Sequence, residues 1–194
     1  MREKKRFGLD IDGTVTDPAT FIPYLNRDFN KTLHLDDLTE YDLTSVLNIT
    51  TNEFWDWMEL NEQNIYLEAK MAADAEETIH EWSQNHTLIY ITARRNHLFD
   101  ATKQWFSNSK LPYDEIEMVG KHDKIEAVRK HNIDIFFEDK HDNAVAIAEE
   151  FDIPVILLDT PYNRLAAPKN VIRTYNWQEA KAWVNDWLRE TSKV

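Results

Sequence analysis

The sequence predicts an α/β protein: a doubly wound, Rossmann-like parallel sheet with a small helical cap inserted after the first strand. Three observations predict it. Five short apolar runs each end in polar or acidic residues, segments with helical spacing separate them, and residues 17–73 carry helix signals without a convincing strand. Short continuous apolar runs suit strands buried on both faces. Alternating strands and helices imply parallel pairing through helical crossovers.

The first run, Phe7-Gly8-Leu9, leads into Asp10-Ile11-Asp12-Gly13-Thr14. The next is Leu88 to Ile91, ending at Thr92. Ile116 to Val119 ends at Gly120, Ile133 to Phe137 at Glu138-Asp139, and Val155 to Leu158 at Asp159. Helical spacing appears in Ala75/Ile79/Trp82, Phe99/Lys103/Phe106, Ile125/Val128/Arg129 and Ala144/Ile147/Ala148/Phe151. A last helix is expected from an Asn176-x-x-Glu179 cap, with Trp183, Val184, Trp187 and Leu188 on one face. Within 17–73 two helices are expected, one on Phe21/Leu25/Phe29 and one after the Thr50-x-x-Glu53 capping box, carrying Phe54, Trp57 and Met58. The division is therefore a core of residues 1–16 and 74–194 and a cap of residues 17–73. In such sheets ligands bind beyond the strand C-termini, where the polar residues above collect.

Composition narrows the function. The 194 residues are 42% apolar and include seven Trp and only three Gly, which excludes disordered and collagen-like chains. A formal charge of −13 disfavours nucleic acid polymers and anionic membranes but permits a small anion at a locally basic site. The absence of cysteine excludes disulfides, thiolate zinc sites and a cysteine nucleophile. After Met1–Arg6 only a short apolar strand precedes Asp10, Asp12 and Asp17, so no secretory leader is expected. No stretch approaches the roughly 20 apolar residues that span a bilayer, and the expected compartment is the cytoplasm.

Asp10-x-Asp12 places two carboxylates on the same side of an extended strand, where they repel unless a cation or a proton lies between them. Gly13 allows the sharp exit from the strand. The segment resembles motif I of the haloacid dehalogenase-like (HAD) phosphohydrolases. That resemblance implies Asp10 as a nucleophile forming an aspartyl-phosphate and Asp12 as the proton shuttle, a role set suited to phosphoryl transfer through a carboxylate.

Thr92 matches the motif II hydroxyl. It and the Ala93 N–H are the expected phosphoryl ligands, with a plain helix cap as the alternative for Thr92. Arg94 and Arg95 add local positive charge, and Arg94 is the candidate for the substrate. Asp123-Lys124 resembles motif III, where a lysine bridges the nucleophile and the phosphoryl group. A lysine at a helix start opposes the helix dipole and calls for an anion nearby. Lys121 competes for this role, and helix register favours Lys124.

Phe136-Phe137-Glu138-Asp139, with Asp142 beyond, resembles motif IV. Converging carboxylates without thiols select a hard cation, Mg²⁺; the resemblance implies Asp10, the Asp12 backbone carbonyl and Asp139 as its holders. His122, His131 and His141 are not assigned as ligands. The four motifs and the insertion look most like the cytosolic 5′(3′)-deoxyribonucleotidase branch, including its bacterial nucleotidases. That branch commonly has Asp-Asp where this chain has Glu138-Asp139, so direct metal contact falls to Asp139 and Glu138 stands behind it.

The resemblance implies a phosphoric monoester hydrolase whose partner is a small phosphorylated substrate, first a nucleoside monophosphate. A sugar phosphate, or a non-catalytic phosphometabolite sensor, are the rivals. Tyr24, Trp55, Trp57 and Tyr66 could stack a base, although aromatics at helical spacing more often pack a core.

Overall fold

The computed structural model describes residues 4–191. Residues 1–3 and 192–194, which the sequence reading assigns to the core, lie outside the described residues, as does the start of the segment read for a leader. The strands are β1 (Arg6–Leu9), β2 (Thr87–Thr92), β3 (Glu115–Met118), β4 (Ile135–Glu138), β5 (Val155–Leu158) and β6 (Val171–Thr174). They form one parallel sheet in the order β3-β2-β1-β4-β5-β6. The sequence reading expects five strands, and β6 corrects it. β6 is an edge strand, paired only to β5, and its half-exposed Val171, Ile172 and Arg173 lack the continuous apolar run that marks a central strand.

Between β1 and β2 run α1 (Ile22–Phe29), α2 (Leu43–Leu47) and α3 (Thr51–Glu68), followed by α4 (Ala75–Ser83). The five-residue α2 is not anticipated by periodicity; Asp42 caps it by accepting from the Thr44 N–H at 2.9 Å. The Thr50/Glu53 capping box starts α3, with Thr50 N–H donating to Glu53 at 2.8 Å. The two ends of this helical segment lie side by side. Thr16 and Met71 form an antiparallel bridge, and Asp17 N–H donates to the Lys70 carbonyl at 2.9 Å.

The remaining helices are α5 (Phe99–Ser109), α6 (Ile125–His131), α7 (His141–Phe151) and α8 (Trp177–Thr191). Asn176 accepts from the Glu179 N–H at 2.9 Å, so the expected cap of α8 forms, while the Glu179 carboxylate turns to the Tyr175 N–H. With only three glycines in the chain, α1, α2, α6 and α7 end on left-handed Asn30, Asn48, Asn132 and Asp152. Short Asn and Asp side chains tolerate that conformation better than most residues.

Both sheet faces are covered. Trp82 of α4, Trp105 of α5 and Trp177 and Val184 of α8 pack on Phe7, Leu9 and Phe137. Val128 of α6 and Ile147 of α7 pack on Ile89, Ile91 and Phe136. Each such fully buried large side chain contributes about 1.5–3 kcal/mol. The inserted helices bury Leu25, Leu47, Met58 and Ile65 in a separate cluster that reaches the sheet domain through Leu98. Among the described residues no helix is long and apolar enough to cross a membrane.

Candidate active site

Chain direction reverses its lateral progress between β1 and β4, the topological switch point of the sheet. Neighbouring loops diverge there and leave a crevice at the strand C-termini. Asp10 leaves β1 at this point, and its N–H donates to the Phe137 carbonyl of β4 at 3.0 Å. The chain then turns tightly, with Val15 and Thr16 N–H both donating to the Ile11 carbonyl. Gly13 has φ +85°, and a Cβ there would lie 2.5 Å from Asp139 Oδ2. Glycine is required both by that conformation and by the closeness of the acid.

Lys124 caps α6 and is buried, with Nζ 2.5 Å from Asp10 Oδ1 and 2.8 Å from Glu138 Oε2. Burial weakens an ammonium, but the two facing carboxylates outweigh it and hold Lys124 above the ordinary lysine value. This supplies the anions that a lysine at a helix start demands. Lys121, the competitor, is exposed and 3.8 Å from Asp123.

Burial also pushes Asp10 up to about 7; Lys124 draws it back down, while Glu138 and Asp12 add to the rise. Asp139 is raised well above the usual carboxylate range by burial, then by the charges of Glu138 and Asp10. Its Oδ2 accepts from the Tyr162 hydroxyl at 2.6 Å and its Oδ1 from Thr14 at 3.3 Å. Glu138 faces the same burial penalty, yet the Lys124 charge and hydrogen bond hold it below the ordinary glutamate value. Both of its oxygens are occupied: Oε1 accepts from the backbone N–H groups of Asp139 and Lys140, Oε2 from Lys124 and Asn143.

Asp10, Glu138 and Asp139 each offer a carboxylate oxygen, all within 4.8 Å of one another. Three buried acids around a single ammonium cannot all ionise without a further cation, and every donor is a hard oxygen. The donor set therefore fits Mg²⁺. Asp142 does not join this group: its side chain is 81% exposed and lies 3.1 Å from His141. The three histidines also stand apart from it: His131 pairs with Glu117, His141 with Asp142 and the Ala166 carbonyl, and His122 lies edge-on to Tyr41.

Thr92 ends β2, and its hydroxyl accepts from the Arg94 N–H at 3.2 Å. α5 begins only at Phe99, so Thr92 does not cap it. Ala93 occupies the turn between them. Arg94 departs from its expected orientation, since its guanidinium grips the Asp12 carboxylate at 2.8 and 2.7 Å instead of standing free for a substrate. Arg95 donates to the buried Glu62 of α3 at 2.5 Å, which also pairs with His97 at 2.9 Å.

The four aromatics of the insertion divide. Tyr66 and Trp57 are buried in the insertion, the Trp57 indole donating to Asp28 at 2.8 Å. The Tyr24 hydroxyl donates to Glu68, and Trp55 is 49% exposed beside Arg95. Sequence reasoning does not find Tyr162 or Tyr41. Tyr41 reaches from the insertion to Tyr162 and His122, with the Lys140 ammonium 4.3 Å from its ring centre. Tyr162 does carry one available signal, its place in the polar stretch just after β5.

This sheet order, with a carboxylate pinned at the switch point against a buried lysine, is that of the haloacid dehalogenase-like fold. A haloacid dehalogenase-like hydrolase, SP0104 of Streptococcus pneumoniae, covers 95% of this chain and 100% of its own at a TM-score of 0.64 and 13% identity. The HAD-hydrolase YfnB of Bacillus subtilis, solved bound to magnesium, covers 94% of this chain and 99% of its own at 0.61 and 14% identity. These likenesses show the fold.

Residues 5–189 match the family described as 5′ nucleotidase, deoxy (Pyrimidine), cytosolic type C protein, and the chain belongs to that family. It is 65% identical over 191 residues, 98% of each chain, to the protein named "Putative nucleotidase BH1399" of Halalkalibacterium halodurans. The protein is a phosphoric monoester hydrolase.

Proposed function

We propose that the protein is a cytoplasmic, Mg²⁺-dependent 5′-nucleotidase that hydrolyses nucleoside monophosphates, deoxyribonucleotides first, through an aspartyl-phosphate on Asp10. Residues 17–73 act as the cap over the crevice. One observation carries this reading: Asp10, pinned at the switch point, lies 2.5 Å from a buried lysine and within a group of three acids. Burying three carboxylates around one ammonium carries a desolvation cost that a bound cation offsets.

Asp10, Asp139 and the Asp12 carbonyl would hold Mg²⁺, which when bound neutralises phosphate charge and orients the ester. Asp10 attacks phosphorus; the Asp10–phosphorus bond forms as the bond to the alcohol oxygen breaks, and that oxygen takes a proton from Asp12. Water then adds to phosphorus, Asp12 recovers a proton from it, and the Asp10–phosphorus bond breaks to release phosphate. Lys124 faces Asp10 throughout and stabilises charge on the transferring group, together with Thr92 and the Ala93 N–H. Glu138 keeps Lys124 charged and aimed. Trp57 and Tyr66 pack the insertion, which leaves Trp55 and Tyr24 as the candidates for stacking a base.

The test is a panel of phosphomonoesters assayed with Mg²⁺ and with EDTA, using wild type and Asp10→Asn. The expected result is a preference for deoxyribonucleoside monophosphates, lost on chelation and absent from the folded variant. A sugar-phosphate optimum or flat rates would overturn the nucleotide assignment, and turnover by Asp10→Asn would overturn the covalent one. Binding without turnover would indicate a sensor.

A further inference from the structure

Arg94 lies in the loop after β2, yet its side chain is fully buried. Nε and Nη2 donate to the two oxygens of Asp12 at 2.8 and 2.7 Å, and Nη1 donates to the Thr102 hydroxyl at 3.2 Å. The guanidinium carbon lies 4.2 Å from the centre of the Tyr66 ring and 5.6 Å from that of Trp105. Tyr66 belongs to α3 of the insertion, whereas Thr102 and Trp105 belong to α5 beside the sheet. The arginine is thus held between the two parts of the molecule.

A planar guanidinium fork on a carboxylate fixes both the position and the plane of the acid, which a lysine, a point charge, cannot do. The Nε, Nη1 and Nη2 groups of Arg94 are all engaged with protein atoms, so the geometry is unlike that of an arginine presented to phosphate. Asp12 itself is partly exposed to the crevice, with a quarter of its side chain accessible. The fork occupies one lone pair on each Asp12 oxygen and leaves the other free to carry the proton it exchanges, so it aims an acid that still faces the site.

The geometry points to Arg94 as a positioning residue for Asp12, with Tyr66 making that positioning depend on the seating of the helical insertion. The inference rests on the hydrolase reading above. In the first half-reaction the bond from phosphorus to the alcohol oxygen breaks while the Asp12 proton passes to that oxygen. A misaligned Asp12 slows departure of an alkoxide, which needs the proton, far more than departure of a stable phenolate.

The test compares two phosphate esters of similar size, benzyl phosphate and 4-nitrophenyl phosphate, in wild type, Arg94→Met, Arg94→Lys and Tyr66→Leu. The readout is kcat/KM, which covers only the steps through release of the alcohol and excludes hydrolysis of the phosphoenzyme. Arg94→Met is expected to lose on the order of 100-fold on benzyl phosphate and less than about threefold on the nitrophenyl ester. Arg94→Lys should show the same asymmetry, because charge without the fork does not aim the acid. Tyr66→Leu should show it in weaker form.

Equal losses on the two esters would mean that Arg94 serves phosphate binding or the fold alone, and would overturn the inference; so would full rescue by lysine. If Arg94→Met does not fold, Arg94→Lys and Tyr66→Leu decide by the same ratio. A wild type inert toward both esters and toward nucleoside monophosphates would remove the proposed hydrolytic reading, and this inference with it. An active wild type with equal variant losses would remove this inference alone.

Discussion

The Lys124 ammonium lies 2.5 Å from Asp10 and 2.8 Å from Glu138, so one cation at the start of α6 serves two acids from the ends of β1 and β4. Removing it should harm chemistry more than folding. Lys124→Met is expected to lower kcat by about 10²–10³-fold, the scale of losing one charge-stabilising donor. Its stability deficit should appear above neutral pH and shrink in mild acid, where Asp10 and Glu138 can take up the protons that replace the lysine charge. Denaturant titrations at the two pH values check this, and a deficit independent of pH would contradict it.

Metal and proton should compete for the same acids. Burial raises Asp10 from 3.8 to about 7, so between those values the folded protein without metal holds a proton that the unfolded chain has released. Its stability therefore falls as pH rises through that window, and the raised Asp139 extends the effect upward. A divalent cation favours the ionised acids and should reverse the loss. The gain in melting temperature on replacing EDTA with Mg²⁺ is expected to be larger at about pH 8 than at about pH 5.5. An equal gain at both would argue against these acids as the metal site.

Trp177 ties α8 to the catalytic turn. Its ring stacks on Phe137 with centroids 5.7 Å apart, and its indole N–H donates to the Thr14 carbonyl at 3.1 Å. Trp177→Phe keeps an aromatic ring but loses the fused pyrrole and its N–H, orphaning a buried carbonyl, for an expected loss of about 1–3 kcal/mol. Trp177→Ala should lose about 3–5 kcal/mol. Urea midpoints measure both, and an unaltered midpoint for Trp177→Phe would show that the hydrogen bond contributes nothing.

Glu62 fastens the insertion to the loop after β2 through Arg95 and His97. Glu62→Ala should cost about 1–3 kcal/mol and speed cleavage by trypsin within residues 17–73, while the sheet domain resists. Proteolysis followed by mass spectrometry detects the difference. Wild-type cleavage rates in the variant would mean that the clasp does not hold the insertion.

Much of this molecule is legible in one dimension. Central strands such as Ile135–Glu138 are buried throughout, so their apolar runs announce them and their polar ends mark the crevice. β6 escapes notice because an edge strand needs no two-sided burial, and α2 because five residues are too few to show a period. Lys124 is anticipated as a helix-start lysine in need of an anion, but not that Glu138 would share it.

The order of apolar runs, their acidic and hydroxyl termini, and the glycine that frees the turn after Asp10 were settled by the amino-acid sequence alone, because each depends on neighbours a few residues away. Which side chains meet across the crevice was decided only by the tertiary structure. Arg94 and Asp12 are 82 residues apart, Arg95 and Glu62 33, and Tyr162 and Asp139 23. No local preference encodes such pairs; they form because the switch point of the sheet and the seating of the inserted helices bring distant backbone to within reach of a hydrogen bond.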